Sequence, residues 1–298
     1  MNRRWIVGTG SVVLGIGIAA SAILGPLGLQ VIRFRTSDAL TNQFVGGEIA
    51  SLALVAPAAV AAGILWMRGN RLAPALTLGP ALYSVYTYTT VVVGQEYGRY
   101  DGNVERYFPL YAGLVACGTA LAVISWSRLE STSLPKKSMK VTGSLFLGIG
   151  GFFGLAWIAQ IRLVYTGNPP SEYLEGPTLF WVIKYLDFGF AIPALIVTGW
   201  GLLRSHPIAI KAAPALAAFA TFLIASVVGM GIRMEVANDP SVQPAMLIVL
   251  APATVGLAAV TVSLLRSYLD GTAESGSRPK NISGTLRAGR VIEKELQP

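Results

Sequence analysis

The chain has 298 residues, of which 53% are hydrophobic and only 13% are charged, and its net charge is +8. Soluble globular proteins carry about 25% charged residues, so this composition excludes an ordinary soluble domain and indicates a multi-spanning membrane protein. One cysteine cannot form an internal disulfide, one histidine cannot supply paired imidazoles to a haem, and no quartet of zinc ligands exists, so no cofactor or metal is predicted.

Eight apolar windows follow one another along the chain, each of about 20 residues, the length that crosses about 30 Å of hydrocarbon. They predict transmembrane helices over 5–27, 46–67, 72–94, 107–127, 141–164, 178–203, 212–232 and 244–266. In the first window, two arginines precede an apolar run that ends in Ala20-Ser21-Ala22, which also fits a cleavable signal peptide. The segment 270–298 is rich in Gly, Ser and charged residues and is predicted to be a disordered cytoplasmic tail.

Lysine and arginine residues outside the spans are unevenly distributed between the two sides of the membrane. Sixteen lie on the side that holds both termini and six on the opposite side. By the positive-inside rule, both termini are predicted to be cytoplasmic in a multi-pass protein of the bacterial inner membrane. The basic residues are spread over short loops without interleaved aromatic residues, so they fit attraction to anionic lipid. No nucleic-acid partner is predicted.

The two halves of the chain resemble each other. Thr9–Gly17 and Thr142–Gly150 share seven of nine residues at an offset of 133. Four helices in each half is an even number, so the halves are expected to have the same orientation and to be related by a pseudo-two-fold axis along the membrane normal. We therefore predict an all-α fold of two parallel four-helix repeats, 1–134 and 135–269. Because the first helix has a counterpart inside the chain, it is predicted to be retained.

Two charged residues lie deep in the sixth predicted span, where an unpaired charge costs about 2.5 to 3.5 kcal/mol. Asp187 lies near the midplane, and Lys184 lies one turn nearer the outside on the same helix face. At an offset of 136, Glu48 is the counterpart of Lys184. We predict that Lys184 bridges Glu48 and Asp187, either as an architectural ion network or as part of a substrate or proton site. Pro57 and Pro193 are expected to kink both helices nearby.

Polar and aromatic residues cluster in and after the third predicted span. Seven of the eleven tyrosines fall between residues 83 and 111, and those near the boundary fit an interfacial aromatic belt. The deeper Tyr83, Tyr86 and Thr90 are predicted either to hydrogen-bond between helices or to line an outward cavity. The outer ends of spans five and seven carry residues that either snorkel to the interface or form the rim of a vestibule. These residues are Gln160, Arg162, Arg233 and Glu235.

Short motifs in both halves carry a resemblance to other proteins. They are Tyr86-Thr87-Tyr88 and the aromatic run 107–111 in the first half, and Tyr185-Leu186-Asp187, with Pro193 six residues on, in the second. The chain resembles a group of uncharacterised bacterial multi-spanning membrane proteins with Tyr-x-Tyr in the third helix and an Asp before a Pro in the sixth. The likeness covers most of the chain outside the tail, and the sequence departs from it at Glu105-Arg106. It implies an eight-helix architecture and no activity.

The parallel repeat and the paired prolines favour a transporter or permease for a small solute, with Asp187 as the titrating carboxylate if protons are coupled. The alternative is a non-catalytic membrane component, such as a partner subunit, assembly factor or sensor, whose ion network is structural. An intramembrane enzyme is disfavoured, because the spans hold no His/Glu/Asp cluster and no Gly-x-Ser-x-Gly nucleophile. A retinal protein is disfavoured because Lys184 suits an ion pair better than a Schiff base. The predicted partners are the lipid bilayer and a small solute or a proton.

Overall fold

A computed structural model describes residues 3–130, 133–239 and 244–276, which form eight long helices and no strand. The helices are α1 (Arg3–Leu24), α2 (Asp38–Met67), α3 (Ala73–Val93), α4 (Phe108–Arg128), α5 (Lys136–Tyr165), α6 (Pro177–Leu203), α7 (Pro207–Val236) and α8 (Pro244–Gly276). Short helical turns over Val104–Tyr107 and Ser171–Glu175 precede α4 and α6. The predicted all-helical class is confirmed. Of the predicted tail, α8 includes the part up to Gly276, and 277–298 lies outside the described residues.

Within the described residues, seven of the eight helices are long and apolar enough to cross a membrane. The exception is α3, whose prolines, tyrosines and threonines keep its hydropathy below that of the seven spans. Most of α3 is buried by neighbouring helices, so its polar side chains need not face hydrocarbon. By length and composition the chain is therefore a multi-pass membrane protein. The burial of α3 places this helix at the centre of the bundle.

Although less apolar, α3 runs from one face of the bundle to the other. It begins just after Gly69, which lies beside the Arg4 side chain on the side where α1 begins, here called the N-terminal face. It ends at Val93 and is followed by the segment 94–107. This segment contacts the segment 25–37, where the Arg33 N–H donates a hydrogen bond to the Asn103 Oδ1 at 2.7 Å. We call the side formed by these two segments the loop face. At about 1.5 Å per residue, the 21 residues of α3 rise about 31 Å.

The loop face is held together by side chains that join its segments. Arg35 donates two hydrogen bonds to the carboxylate of Glu105, at 2.6 and 3.0 Å, and a third to the carbonyl of Tyr100. The hydrogen bond with Glu105 raises the pKa of Arg35. Glu96 reaches the other half of the chain and accepts hydrogen bonds from the backbone N–H and the hydroxyl of Thr178, at 2.6 and 2.9 Å. A carboxylate thus caps the positive end of the α6 helix dipole.

We expect Glu96→Gln to lower the stability of the folded protein by about 1–2 kcal/mol, because it removes the charge from the α6 cap and leaves one acceptor oxygen for two donors. Thermal unfolding of the detergent-purified protein measures this. Asp101→Asn is the matched control, because Asp101 is an exposed carboxylate of the same segment. Equal melting temperatures for the two variants would contradict the cap.

Both α2 and α6 contain a π-helical turn, over Ser51–Val55 and Asp187–Ala191. In each, the N–H that follows the turn donates to the carbonyl five residues earlier. Pro57 and Pro193 lie two residues beyond the turns and have no N–H to donate. The turns lie 136 residues apart, at the offset of the sequence repeat in these helices. Such turns widen a helix and re-aim its side chains, and they are frequent at functional sites.

The first two helices of each half cross at a pair of glycines. A Cβ atom added at Gly63 of α2 would lie 2.5 Å from the Gly8 carbonyl oxygen of α1, and one at Gly199 of α6 would lie 2.8 Å from the Gly143 oxygen of α5. Backbones this close leave no room for a side chain. Gly8 and Gly143 lie 135 residues apart in the sequence, and Gly63 and Gly199 lie 136 apart. The sequence match between α1 and α5 has an offset of 133, so these offsets differ from it by two and three residues.

The two halves differ in how their outer helices pack. In the first half α1 packs against α4, where the Cys117 thiol lies 3.5 Å from the Gly10 carbonyl oxygen. In the second half, the described parts of α5 and α8 do not pack along each other. A Cβ atom added at Gly148 or Gly151 of α5, or at Gly256 of α8, would meet nothing within 4 Å. The second half is therefore more open than the first.

Candidate functional site

A cavity of about 300 Å³ lies between the two halves of the bundle. Its walls come from α2, α3, α5, α6, α7 and α8 and are mostly aliphatic and aromatic. The charged residues that line it are Glu48, Glu172, Lys184 and Asp187. A largely apolar cavity with a few convergent polar groups is the usual form of a small-molecule site.

The cavity occupies the half of the bundle nearest the loop face. α3 contributes only residues from Tyr86 onward, and α7 only residues from Phe219 onward. Towards the N-terminal face, α3 and α7 pack through small residues: a Cβ atom at Gly79 would lie 2.7 Å from the Cβ of Ala218, and Ala217 is fully buried. The bundle is therefore hollow on one side and tightly closed on the other.

Asp187 begins the π-helical turn of α6 and lies on the cavity wall. Its Oδ1 accepts a hydrogen bond from the Tyr86 hydroxyl of α3 at 2.7 Å, and its Oδ2 accepts one from the Trp157 indole N–H of α5 at 2.6 Å. One carboxylate thus joins three helices. Tyr86 therefore makes a hydrogen bond between helices, which was one of the two roles predicted for it, and it also lines the cavity.

Lys184 makes neither of the ion pairs predicted for it. Its ammonium lies 3.9 Å from the ring centres of both Trp157 and Phe180, and the side chain is 5% exposed. No carboxylate of the described residues lies within 4 Å of it, since the ion pair found there joins Arg35 and Glu105. The prediction was wrong because aromatic faces, which attract a desolvated cation by about 2 kcal/mol, hold the ammonium instead.

Glu48 lies apart from Lys184, although it also lines the cavity. Its Oε2 accepts a hydrogen bond from the backbone N–H of Leu27 at 3.0 Å, just after the end of α1. Its Oε1 is buried without a hydrogen-bond partner, and the side chain is 9% exposed. A buried carboxylate oxygen left unpaired is costly, so a further hydrogen-bond partner there would stabilise this group.

A second tyrosine of α3 contacts the other π-helical turn. The Tyr83 hydroxyl lies 2.7 Å from the Ser51 hydroxyl of α2 and 3.3 Å from the Ser226 hydroxyl of α7. Tyr83 is buried behind the cavity wall, whereas Ser51 and Ser226 line it. Thr90 lines the cavity and donates to the Thr87 carbonyl of its own helix. The first residue of each π-helical turn is thus hydrogen-bonded to a tyrosine of α3.

The four residues predicted as a vestibule separate in the structure. Gln160 lines the cavity, and its Oε1 is buried without a partner. Arg162 and Glu235 are exposed and Arg233 is partly buried, and none of these three lines the cavity. Among the described residues, no group of three or more His, Cys, Asp or Glu could hold a metal ion.

Sequence reasoning missed the aromatic residues that hold the charges. Trp157 both donates to Asp187 and faces the Lys184 ammonium, and Phe180 covers the other side of that ammonium. One signal for Trp157 was available, because a buried indole N–H in a membrane helix needs an acceptor, and Asp187 is the deepest carboxylate. Phe180 lies four residues before Lys184, a spacing that places both on one helix face.

The chain matches no family model, no curated protein and no solved structure.

Proposed function

We propose that this protein is a transporter or permease-like protein of the bacterial inner membrane that binds a small solute in the cavity. The observation that supports this most directly is the one-sided cavity, which is hollow towards the loop face and closed towards the N-terminal face. A protein that moves a solute by alternating access needs one site that opens to each side in turn. Three of the charged residues on the cavity wall, Glu48, Lys184 and Asp187, lie in or within three residues of the π-helical turns, which are frequent at functional sites.

The proposed topology has eight spans with both termini in the cytoplasm and the loop face outside. The position of α3 supports the eighth span, because a helix of about 31 Å that joins both faces of a membrane-embedded bundle crosses the hydrocarbon. The excess of lysine and arginine at the N-terminal face supports the orientation. The paired π-helical turns and glycine crossings support two parallel four-helix repeats.

A second candidate function is a non-catalytic membrane component. The observation that favours it is the complete hydrogen bonding of Asp187, whose two oxygens tie α6 to α3 and α5. A structural anchor needs no more than this. The two functions differ in whether the tightly packed half of the bundle ever opens.

Thiol labelling tests whether it opens. The chain has one cysteine, so Cys117→Ser provides a cysteine-free background for single cysteines at Thr87, which lines the cavity, and at Ala217, in the closed half. A membrane-impermeant maleimide is applied from either side of oriented membranes. We expect Thr87→Cys to react from outside, and Ala217→Cys to react slowly from the cytoplasmic side as the bundle alternates.

Two further cysteines provide the controls. Asp101→Cys, on an exposed part of the loop face, reports full reactivity from outside, and Leu155→Cys, 71% exposed on an apolar helix, reports a lipid-facing position without water. If Ala217→Cys reacts from neither side while Thr87→Cys reacts, the non-catalytic component is supported and the transporter is rejected. Reaction of Thr87→Cys from the cytoplasmic side alone would reject the proposed orientation.

A further inference from the structure

More acidic than basic side chains line the cavity. Three carboxylates line it, from Glu48, Glu172 and Asp187, against the single ammonium of Lys184. With all four ionised, the cavity has two negative charges in excess. In a site of low dielectric constant such an excess is costly without a partner of opposite sign, and it favours a cationic ligand over an anionic one.

The buried polar atoms of the cavity wall that lack a hydrogen-bond partner also favour a cationic ligand. Among the described residues, two cavity-lining side chains hold a buried polar atom without a partner, and both atoms are acceptor oxygens: Glu48 Oε1 and Gln160 Oε1. A cation, or a donor group attached to one, would satisfy them, whereas an anion would meet repulsion. Glu48 is the stronger of the two because a carboxylate, when ionised, makes a charge-assisted hydrogen bond with a cationic donor and the Gln160 amide does not.

The apolar part of the wall suits an organic cation rather than a metal ion. Phe34 and Phe44 form an edge-to-face pair on it, with ring centres 4.8 Å apart, and Phe153 and Phe219 also line it. Aromatic faces attract organic cations and cover apolar bodies equally well. A cavity of about 300 Å³ has room for a one-ring ammonium compound.

Lys184 shows how such a cation would be bound. Its ammonium already occupies the space between Trp157 and Phe180 in the second half. At the equivalent position of the first half stands Glu48, 136 residues earlier, and no cationic side chain of the described residues lies within 4 Å of its carboxylate. The second half therefore carries a built-in cation, and the first half carries a carboxylate that lacks one.

From these observations we infer that the cavity binds organic cations with an apolar body, and that the cationic group of the ligand lies at Glu48. This inference rests on the proposed solute-binding function and specifies its substrate class.

Two probes of similar shape and opposite charge test it. Benzyltrimethylammonium and benzylsulfonate share the benzyl group, and calorimetric titration of the full-length protein in nanodiscs compares their affinities. We expect benzyltrimethylammonium to bind at least tenfold more tightly than benzylsulfonate. Glu48→Gln is expected to weaken the cation at least tenfold and Lys184→Met to tighten it several-fold, because the resident positive charge is removed. Asp101→Asn, an exposed carboxylate outside the cavity, leaves both affinities unchanged.

The probe comparison needs no variant, so it holds even if Glu48→Gln fails to fold. Equal or tighter binding of benzylsulfonate overturns the cationic class but leaves solute binding intact. Cation binding that Glu48→Gln does not weaken overturns the position at Glu48. If neither probe binds up to millimolar concentration, the inference is overturned, whereas the proposed transport function still stands or falls on the labelling of Ala217→Cys.

Discussion

Gly46→Val is expected to destabilise the protein more than any other single substitution considered, because Gly46 of α2 lies directly on the backbone of α7. A Cβ atom there would overlap Gly229 and the Cα atom of Met230. No flexible side chain can move aside, so the two halves of the bundle would have to separate. Overpacking of a core costs about 1–3 kcal/mol, and backbone overlap lies at the upper end of that range or above it.

The expected reading is a fall of the apparent melting temperature by roughly 6–12 °C in detergent, or loss of the monodisperse protein. Gly148→Val is the matched control, because a Cβ atom at Gly148 meets nothing within 4 Å. That variant should melt at the wild-type temperature or slightly above, since valine is a better helix former than glycine. Equal melting temperatures for the two variants would show that α2 and α7 are not in contact at Gly46.

The positions of the helices follow from hydropathy alone. Each predicted span overlaps a long helix, because about 20 apolar residues in a row have few other stable states in a membrane protein. The largest errors are the end of α8, which extends to Gly276 rather than to residue 266, and the start of α2, which begins at Asp38 rather than at residue 46. The segment 38–45 mixes polar and apolar residues, and it is helical because the Ser37 hydroxyl oxygen caps it by accepting a hydrogen bond from the Leu40 N–H, at 3.3 Å. Hydropathy does not detect a capped polar turn at the surface.

The candidate site was only partly predictable. The depth of Asp187 and Lys184 and the polar face of α3 identified residues that do line or support the cavity. The ion pair between Lys184 and Glu48 was wrong for a geometric reason: residues at equivalent positions of a two-fold repeat meet only if they lie on the axis. Glu48 lies against the turn after α1, and Lys184 lies against Trp157 of α5, so each faces its own half.

Membership of the resembled bacterial group, the bacterial inner membrane and the position of both termini stay predictions. Helix packing nevertheless explains why α3 deviates from the hydropathy of its neighbours. A central helix contacts protein on nearly all sides, so its polar side chains can hydrogen-bond to neighbouring helices and need not face lipid. Tyr83 and Tyr86 do so at the two π-helical turns.

Asp187→Leu is the second substitution with a large expected effect. It leaves the indole N–H of Trp157 and the hydroxyl of Tyr86 without their acceptor, and each unpaired buried donor costs about 1–3 kcal/mol. It also removes the negative charge that interacts electrostatically with the Lys184 ammonium. We expect a clear loss of thermal stability, and a smaller one for Asp187→Asn, which keeps one acceptor oxygen.

The double variant Asp187→Leu with Lys184→Met separates these two causes. If the buried ammonium depends on the carboxylate even though no ion pair is formed, removing both charges restores part of the stability that Asp187→Leu loses. Groups coupled in this way show interaction energies of about 0.5–3 kcal/mol in a double-mutant cycle. Strictly additive losses would mean that Trp157 and Phe180 alone hold the ammonium and that Asp187 acts only through its hydrogen bonds. Coupling would instead make Asp187, Lys184 and Trp157 one electrostatic unit, whose balance a cation entering the cavity would change.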